Sequence, residues 1–356
     1  MPETSAPGQR IPLAQVRRFM THAMERLGLP PADAATVAGL MTEAEAQGSD
    51  GHGLIRLAPY ARRIRAGGLN LKPEIRIVKE KAGMALLDGD NGMGHLVMKQ
   101  AAEIAIAKAK NCGVAWVGAR HSNHAGPASL YARMALPHDM IGLYYAVGNA
   151  NHLPPWGGLD MLLSTNPIAV AVPAGDEPPV VLDMATTVAA YGKVKAKAQR
   201  GEQMPVGWMI DRQGRPLTDP KRSEEGFLMP IGGYKGYGLA MIVGLLAGTL
   251  NGAAVGSETI DFNKDDTTPT NTGQAIVVID PDAFGEIAEF KARVDKLVRE
   301  LRASERMPGV DRIWMPGEQS HARRLANQQG LALSPQLLAQ LDQVAGDLGI
   351  ATLQET

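Results

Sequence analysis

GGYKGYGLAMIVGLLAGTL, residues 232–250, joins a glycine-rich turn to the most apolar run of the chain. Its glycines match neither G-x-G-x-x-G nor G-x-x-x-x-G-K-[ST], and neither pattern occurs elsewhere in the sequence. A doubly wound fold built on those loops is therefore not expected. A glycine-rich helix entry can still present backbone N–H groups to a phosphate, with Lys235 adding charge, although close packing produces the same pattern. The apolar part, residues 239–250, falls short of the roughly 20 residues that span a bilayer and reads as a buried helix.

Composition narrows the class. The 356 residues are 45% hydrophobic and 21% charged, as in ordinary globular proteins with room for two or three sub-domains. Lys plus Arg number 36 against 37 Asp plus Glu, so no global attraction to nucleic acid or an anionic membrane is expected. Cys112 is the only cysteine, which excludes an intrachain disulfide and a cysteine-based zinc site; it reads as a buried filler. The first residues, MPETSAPGQRIPLAQ, lack a basic-then-apolar design, and a cytoplasmic location is the expectation. Forty glycines with only 4% aromatics suggest many tight turns around a ligand.

Outward from the central stretch, residues 11–28 and 31–47 carry helical spacing, and a third helix is predicted from about His52 to Ala66, capped by Asp50. IRIVKE (75–80) and MALLDGD (84–90) read as a hairpin, residues 95–111 as an alanine-rich helix, and VAWVGA (114–119) as a buried strand. A helix is expected from about Pro127 to Leu136. LLSTNPIAVAVPAG (162–175) and PVVLDMATT (179–187) are apolar segments, VAAYGKVKAKAQRG (188–201) a helix with outward lysines, and residues 201–226 surface turns. QAIVVIDPDAF (274–284) reads as a strand, and residues 283–305 and 334–348 as helices. The domain reading is 1–70 for an N-terminal helical part, 71–284 for a ligand-holding domain and 285–356 for a C-terminal helical part.

The chemistry concentrates in GSDGHGLIRLAPY, residues 48–60. On one helix, His52 and Arg56 would share a face, where arginine grips a carboxylate through two parallel hydrogen bonds and an imidazole moves a proton. A histidine between glycines can also simply cap a helix. HSNHAGP (121–127) delivers His124, among small residues that leave its ring reachable, with Asn123 to orient a neighbour. Asp183 ends an apolar strand, where it could polarise a histidine or cap the following helix. His52, His121, His124, His152 and Asp183 lack any recognised metal spacing, so no metal is expected.

GHGLIR…Y, HSNHAGPASLYA, TNPIAVAVP, VVLDMAT, PIGGYKGYGLAMIVGLLAGTLNGA and MPGE, in that order over about residues 12–345, resemble the type 2 malate/L-lactate dehydrogenase family. The family includes ureidoglycolate and sulfolactate dehydrogenases and the reductases of piperideine-2-carboxylate and pyrroline-2-carboxylate. The resemblance implies an α/β mixed, non-Rossmann fold binding NAD or NADP, with a largely antiparallel mixed sheet and a helical domain formed by the two chain ends. It implies a homodimer or larger assembly acting on a small carboxylate substrate. Carried over by motif, His52 is the acid/base residue, Arg56 binds the carboxylate and His124 is a second active-site histidine, the proton being assigned to one or the other among family members; Asp183 lies over the nicotinamide, where it would favour a protonated histidine. The same match has Asp176, Leu182, Asp183, Met184, Lys235, Gly236, Pro316, Gly317 and Glu318 line the cofactor, with Asn149 and Thr165 nearby.

One position departs: the family's serine before the histidine is Gly51 here, which supplies only a backbone N–H and more space. A cyclic imino acid or other bulkier substrate becomes the expectation over malate or lactate. The choice of cofactor stays open, since Asp176 and Glu177 suit a free 2′-hydroxyl whereas Lys193, Lys195 and Lys197 could meet a 2′-phosphate.

Overall fold

The computed structural model describes residues 10–356. Helices α1 (Leu13–Arg26) and α2 (Pro31–Ala46) pack against each other. In α1, Val16, Phe19, Met20, Ala23 and Met24 are buried, the stripe a helix lays on a core. The predicted third helix begins later than its sequence suggests. Asp50–His52 and Leu54–Arg56 each form one tight 3₁₀ turn, with no side-chain cap from Asp50, and α3 starts at Leu57 and ends at Arg65. His52 and Arg56 thus do not share a continuous helix. The glycines flanking His52 favour a turn over helix propagation.

Strands β1 (Arg76–Lys81) and β2 (Met84–Asp88) form the expected hairpin. Helix α4 (Gly94–Cys112) crosses to β3 (Val114–Ser122), which lies parallel to β2. Buried alanines at 101, 102, 105 and 109 let α4 lie close on the sheet. Cys112, at the end of α4, is exposed, contrary to its reading as filler. The helix expected from Pro127 is only α5 (Ser129–Ala132) running into a 3₁₀ segment, Arg133–His138, that contains Pro137.

Beyond it run β4 (Ile141–Ala146), the short pair β5 (Asn151–Leu153) and β6 (Leu163–Ser164), then β7 (Ile168–Val172) and β8 (Val180–Met184). Helix α6 (Tyr191–Arg200) precedes a second small sheet, β9 (Met209–Asp211) with β10 (Gly226–Leu228), in the stretch read as surface turns. Its core is Val194, Met204, Met209, Leu217 and Leu228. Helix α7 (Tyr234–Ala247) leads to β11 (Thr272–Ile279), and α8 (Ile287–Ala303), α9 (Glu318–Asn327) and α10 (Pro335–Leu348) close the chain.

The main sheet has the order β1-β2-β3-β11-β4-β7-β8, antiparallel except for β2 with β3. Alternate residues Ala115, Val117 and Ala119 of β3 and Ile276 and Val278 of β11 join α4 in one core. A second core unites α1, α2 and α3 with Leu341, Val344 and Leu348 of α10. The chain ends thus share an apolar cluster, and Ile11 bridges Leu331. Helix α8 attaches elsewhere: its Asp295 accepts the backbone N–H groups of Gly175, Asp176 and Glu177.

α7 is a helix but not a buried one. Met241, Ile242 and Leu245 are 40–47% exposed, and Tyr234 and Leu250 more so. Among the described residues no helix is long and apolar enough to cross a membrane.

Candidate active site

The break at Gly53 turns His52 onto His124. Their rings stack at 5.4 Å between centroids with 18° between planes. Tyr60, on the first turns of α3, puts its hydroxyl 2.5 Å from His124 Nδ1. Gly126 donates its N–H to the same nitrogen at 3.4 Å. A backbone N–H can only donate, so Nδ1 is the acceptor and the proton of neutral His124 resides on Nε2. Arg56 donates through Nε to the Gly51 carbonyl at 2.7 Å, which leaves the outer edge of the guanidinium for a bidentate partner.

Several residues that sequence reasoning did not assign to the site complete it. Phe262 packs 5.6 Å from His124 and 5.9 Å from Tyr60. Arg63, fully buried, lies 5.5 Å over the Phe262 ring and donates to the carbonyls of Asp265 and Thr268, so it pins the polar loop that carries Phe262. His95 is fully buried in the first turn of α4 and meets Tyr60 edge-on at 5.7 Å. Neither His95 nitrogen has a hydrogen-bond partner. An alanine-rich helix gives no local sign that its one histidine faces a site.

Burial is the main influence on these groups. It pushes His52 down to about 4, aided by the Arg56 guanidinium, and His95 down to about 3. His124 is also well below its ordinary value, through burial and then Arg56, His52 and His95. Tyr60 is pushed up by burial and keeps its proton. Both stacked histidines are therefore neutral near pH 7. This corrects the expectation of a histidine held protonated by Asp183: that carboxylate instead accepts the Ser129 N–H at 2.9 Å, at the start of α5.

The remaining sequence candidates separate. His121 leaves the site and faces Asp88 at 3.0 Å. His152 stacks on Tyr191 at 4.3 Å and lines a cavity of about 240 Å³ with Lys195, Glu224 and Lys264, outside the histidine pair. Among the described residues no three His, Cys, Asp or Glu side chains group to hold a metal. Asn149 lies close to the pair, since its carbonyl accepts the Phe262 N–H at 2.9 Å. Thr165 O accepts Thr186 N–H, and Ile231 N–H bonds Thr186 O, which leads from the end of β8 to Gly232 and the start of α7 with Lys235 and Gly236. Pro316 O accepts the Val181 N–H at 3.0 Å, setting Pro316–Gly317 on the free edge of β8. A side chain at Gly317 would stand 2.6 Å from Val181 O, so only glycine permits this approach.

Two assignments change. Glu318 is buried, and its carboxylate is taken by Arg312, by Arg302 at 3.5 Å and by the Met315 N–H at 3.0 Å; it shapes the Pro316–Gly317 turn and has little left for a ligand. Asp176 sits before β8 at the Val180 end, tied to Arg299 at 3.3 Å, away from Asp183 and Met184.

Two stacked imidazoles beside an arginine whose outer guanidinium edge is free suit proton exchange with a small carboxylate. The comparisons define it further: residues 11–342 match the malate/L-lactate dehydrogenase family, and the chain belongs to it. The L-sulfolactate dehydrogenase of Methanocaldococcus jannaschii is 36% identical over 335 residues, 94% of this chain and 96% of that protein. The Delta(1)-pyrroline-2-carboxylate/Delta(1)-piperideine-2-carboxylate reductase of Pseudomonas putida is 32% identical, covering 95% of this chain and 97% of its own. The structure of malate dehydrogenase from Pyrococcus horikoshii OT3 superposes with a TM-score of 0.89 at 32% identity, over 99% of this chain and 100% of that one. The chain is therefore an enzyme, a dehydrogenase or reductase.

Proposed function

We propose that this enzyme catalyses reversible hydride transfer between a nicotinamide cofactor and C2 of a small 2-oxo acid or cyclic 2-imino acid. The observation that carries this reading is the stacked His52–His124 pair with Tyr60 on one nitrogen and Arg56 one turn along. Arg56 binds the substrate carboxylate through its outer guanidinium edge and so fixes C2. In the oxidising direction a neutral imidazole is ready to take the proton from the hydroxyl or amine. In reduction the bound carboxylate offsets the Arg56 charge and makes a protonated His52 less costly, while Nε2–H of His124 is a second donor.

The residues present fit a dinucleotide. Gly232 and Gly233 both have positive φ, and α7 begins without a side-chain cap, which leaves the amides of its first turn to a phosphate beside the exposed Lys235. Lys235 and Gly236 would hold phosphate, and Leu182, Asp183 and Met184, with Asn149 and Thr165 close by, would line the remainder; when bound, the cofactor supplies or removes the hydride. Glu177 is already bonded to Arg299 and Arg302, and Lys197 to Glu202, so neither group is free to choose between NAD and NADP.

Within this class a cyclic imine is favoured by Gly51, where an added Cβ would meet nothing within 4 Å. The test is a panel of 2-oxo acids and cyclic imines, read by oxidation of NADH and of NADPH. Turnover with one substrate class identifies it, and failure of both cofactors to bind rejects the proposal.

A further inference from the structure

The two one-turn helices that carry His52 and Arg56 meet at Gly53, and a carboxylate lies directly against that junction. Glu45, near the end of α2, is only 7% exposed, and its Oε2 accepts the Leu54 N–H at 2.9 Å. A Cβ on Gly53 would stand 2.1 Å from the same oxygen. The carboxylate can reach Leu54 only because residue 53 has no side chain. Glu45 therefore holds the first amide of the turn ending in Arg56, and the chain before that amide is the turn ending in His52.

We infer that Glu45 is a positioning residue for substrate binding: by fixing the bend at Gly53 it sets the angle at which Arg56 meets the carboxylate and His52 meets His124. It touches no reacting atom and acts through the backbone. A buried carboxylate is costly unless it is hydrogen-bonded, and the Leu54 N–H is a partner Glu45 has. In this bend Arg56 Nε reaches Gly51 O at 2.7 Å. Burial pushes the Glu45 carboxyl up to about 7; the Leu54 N–H opposes this and the nearby Asp50 carboxylate adds to it.

The inference rests on the proposed substrate site, and the experiment separates the two. Glu45→Ala, Glu45→Gln and Gly53→Ala are compared with the native enzyme in substrate KM, kcat and NADH affinity between about pH 5.5 and 8.5. Hydrogen exchange is followed in the peptide containing Leu54. Glu45→Ala is expected to raise KM by about tenfold or more, leave NADH affinity unchanged and speed exchange at Leu54. Gly53→Ala, which displaces the same carboxylate from the other side, should do likewise if Glu45→Ala folds poorly. Glu45→Gln keeps an oxygen for the Leu54 N–H and should restore KM while removing an ionisation near pH 7 from the kcat/KM profile. Unchanged KM and unchanged Leu54 exchange in Glu45→Ala overturn the inference, as does an equal loss of NADH binding. If the native enzyme reduces no 2-oxo acid or imine, the function reading fails, and Leu54 exchange alone still decides whether Glu45 holds the bend.

Discussion

The hydroxyl of Tyr60 lies 2.5 Å from Nδ1 of His124, a nitrogen that also receives the Gly126 N–H. Two donors on one nitrogen define the tautomer and leave the proton on Nε2. Tyr60→Phe keeps the ring packing against His95 and Phe262 but removes the stronger donor. We expect kcat to fall by about 10- to 100-fold with NADH affinity unchanged, because general acid–base groups contribute on that scale when correctly protonated. Steady-state kinetics with a fluorescence titration of NADH check this; equal kcat in the variant would show that Tyr60 only packs.

The histidine cluster should make the fold acid-sensitive. His52, His95 and His124 all have depressed values in the fold, against about 6.5 in an unfolded chain. Their neutral forms are the ones the fold accommodates, so the stability they permit is fully present above about pH 6.5 and is lost as pH falls, by up to about 1.4 kcal/mol per unit for each. Glu45 runs the other way. Its raised value means the fold disfavours the charged form, and stability recovers as pH falls from about 7 toward 4.5. From these four groups alone the slope is roughly two histidines' worth, about 3 kcal/mol per pH unit between about pH 6 and 4.5, and His152, lowered to about 4 by burial, adds to it in the same sense. Urea midpoints across that range measure it, and His95→Gln should make the slope shallower by one histidine's worth, about 1.4 kcal/mol per pH unit. A flat profile would mean that the cluster is hydrated.

Much of the fold was legible. The β1–β2 hairpin, α4 and β11 announce themselves by alternation or helical spacing over long runs, and the absent glycine fingerprints agree with a mainly antiparallel sheet. The site was legible as residue types but not as geometry. Helical spacing placed His52 and Arg56 on one face, whereas two glycines and a buried carboxylate from nine residues upstream of Leu54 bend the chain between them. His95, Phe262 and Arg63 reach the site from α4, a polar loop and α3, and contacts over such sequence distances leave no local pattern. Position in the family match puts Asp176 and Glu318 at the cofactor; in the fold arginines already hold them.

The exposed face of α7 leads to a prediction about assembly. Tyr234, Met241, Ile242 and Leu245 of α7, with Leu250 in the turn that follows it, expose an apolar surface. We expect this face to be covered by a second copy of the chain, in a homodimer or a larger assembly of dimers. Ile242→Asp combined with Leu245→Glu places charge where a partner would remove water. The double variant should sediment as a monomer of half the native mass or less at micromolar concentration. Native protein that already sediments as a monomer would exclude the assembly.

Gly51 is the position from which substrate choice can be changed. Its backbone carbonyl is committed to Arg56 at 2.7 Å, so the bend survives any side chain that fits. A Cβ there meets nothing within 4 Å, so serine fits without displacing a neighbour. The new hydroxyl would stand beside the carboxylate grip, where it can hydrogen-bond an open-chain 2-oxo acid and crowd a ring. Gly51→Ser should therefore raise the ratio of kcat/KM for pyruvate or oxaloacetate over that for a cyclic 2-imino acid by about tenfold, the effect of one hydrogen bond of roughly 1.4 kcal/mol. Parallel assays of native and variant enzyme on both substrate classes give that ratio directly. A ratio that does not move would place substrate choice elsewhere in the cleft, and Phe262, which packs on His124 from the opposite loop, would be the next residue to vary.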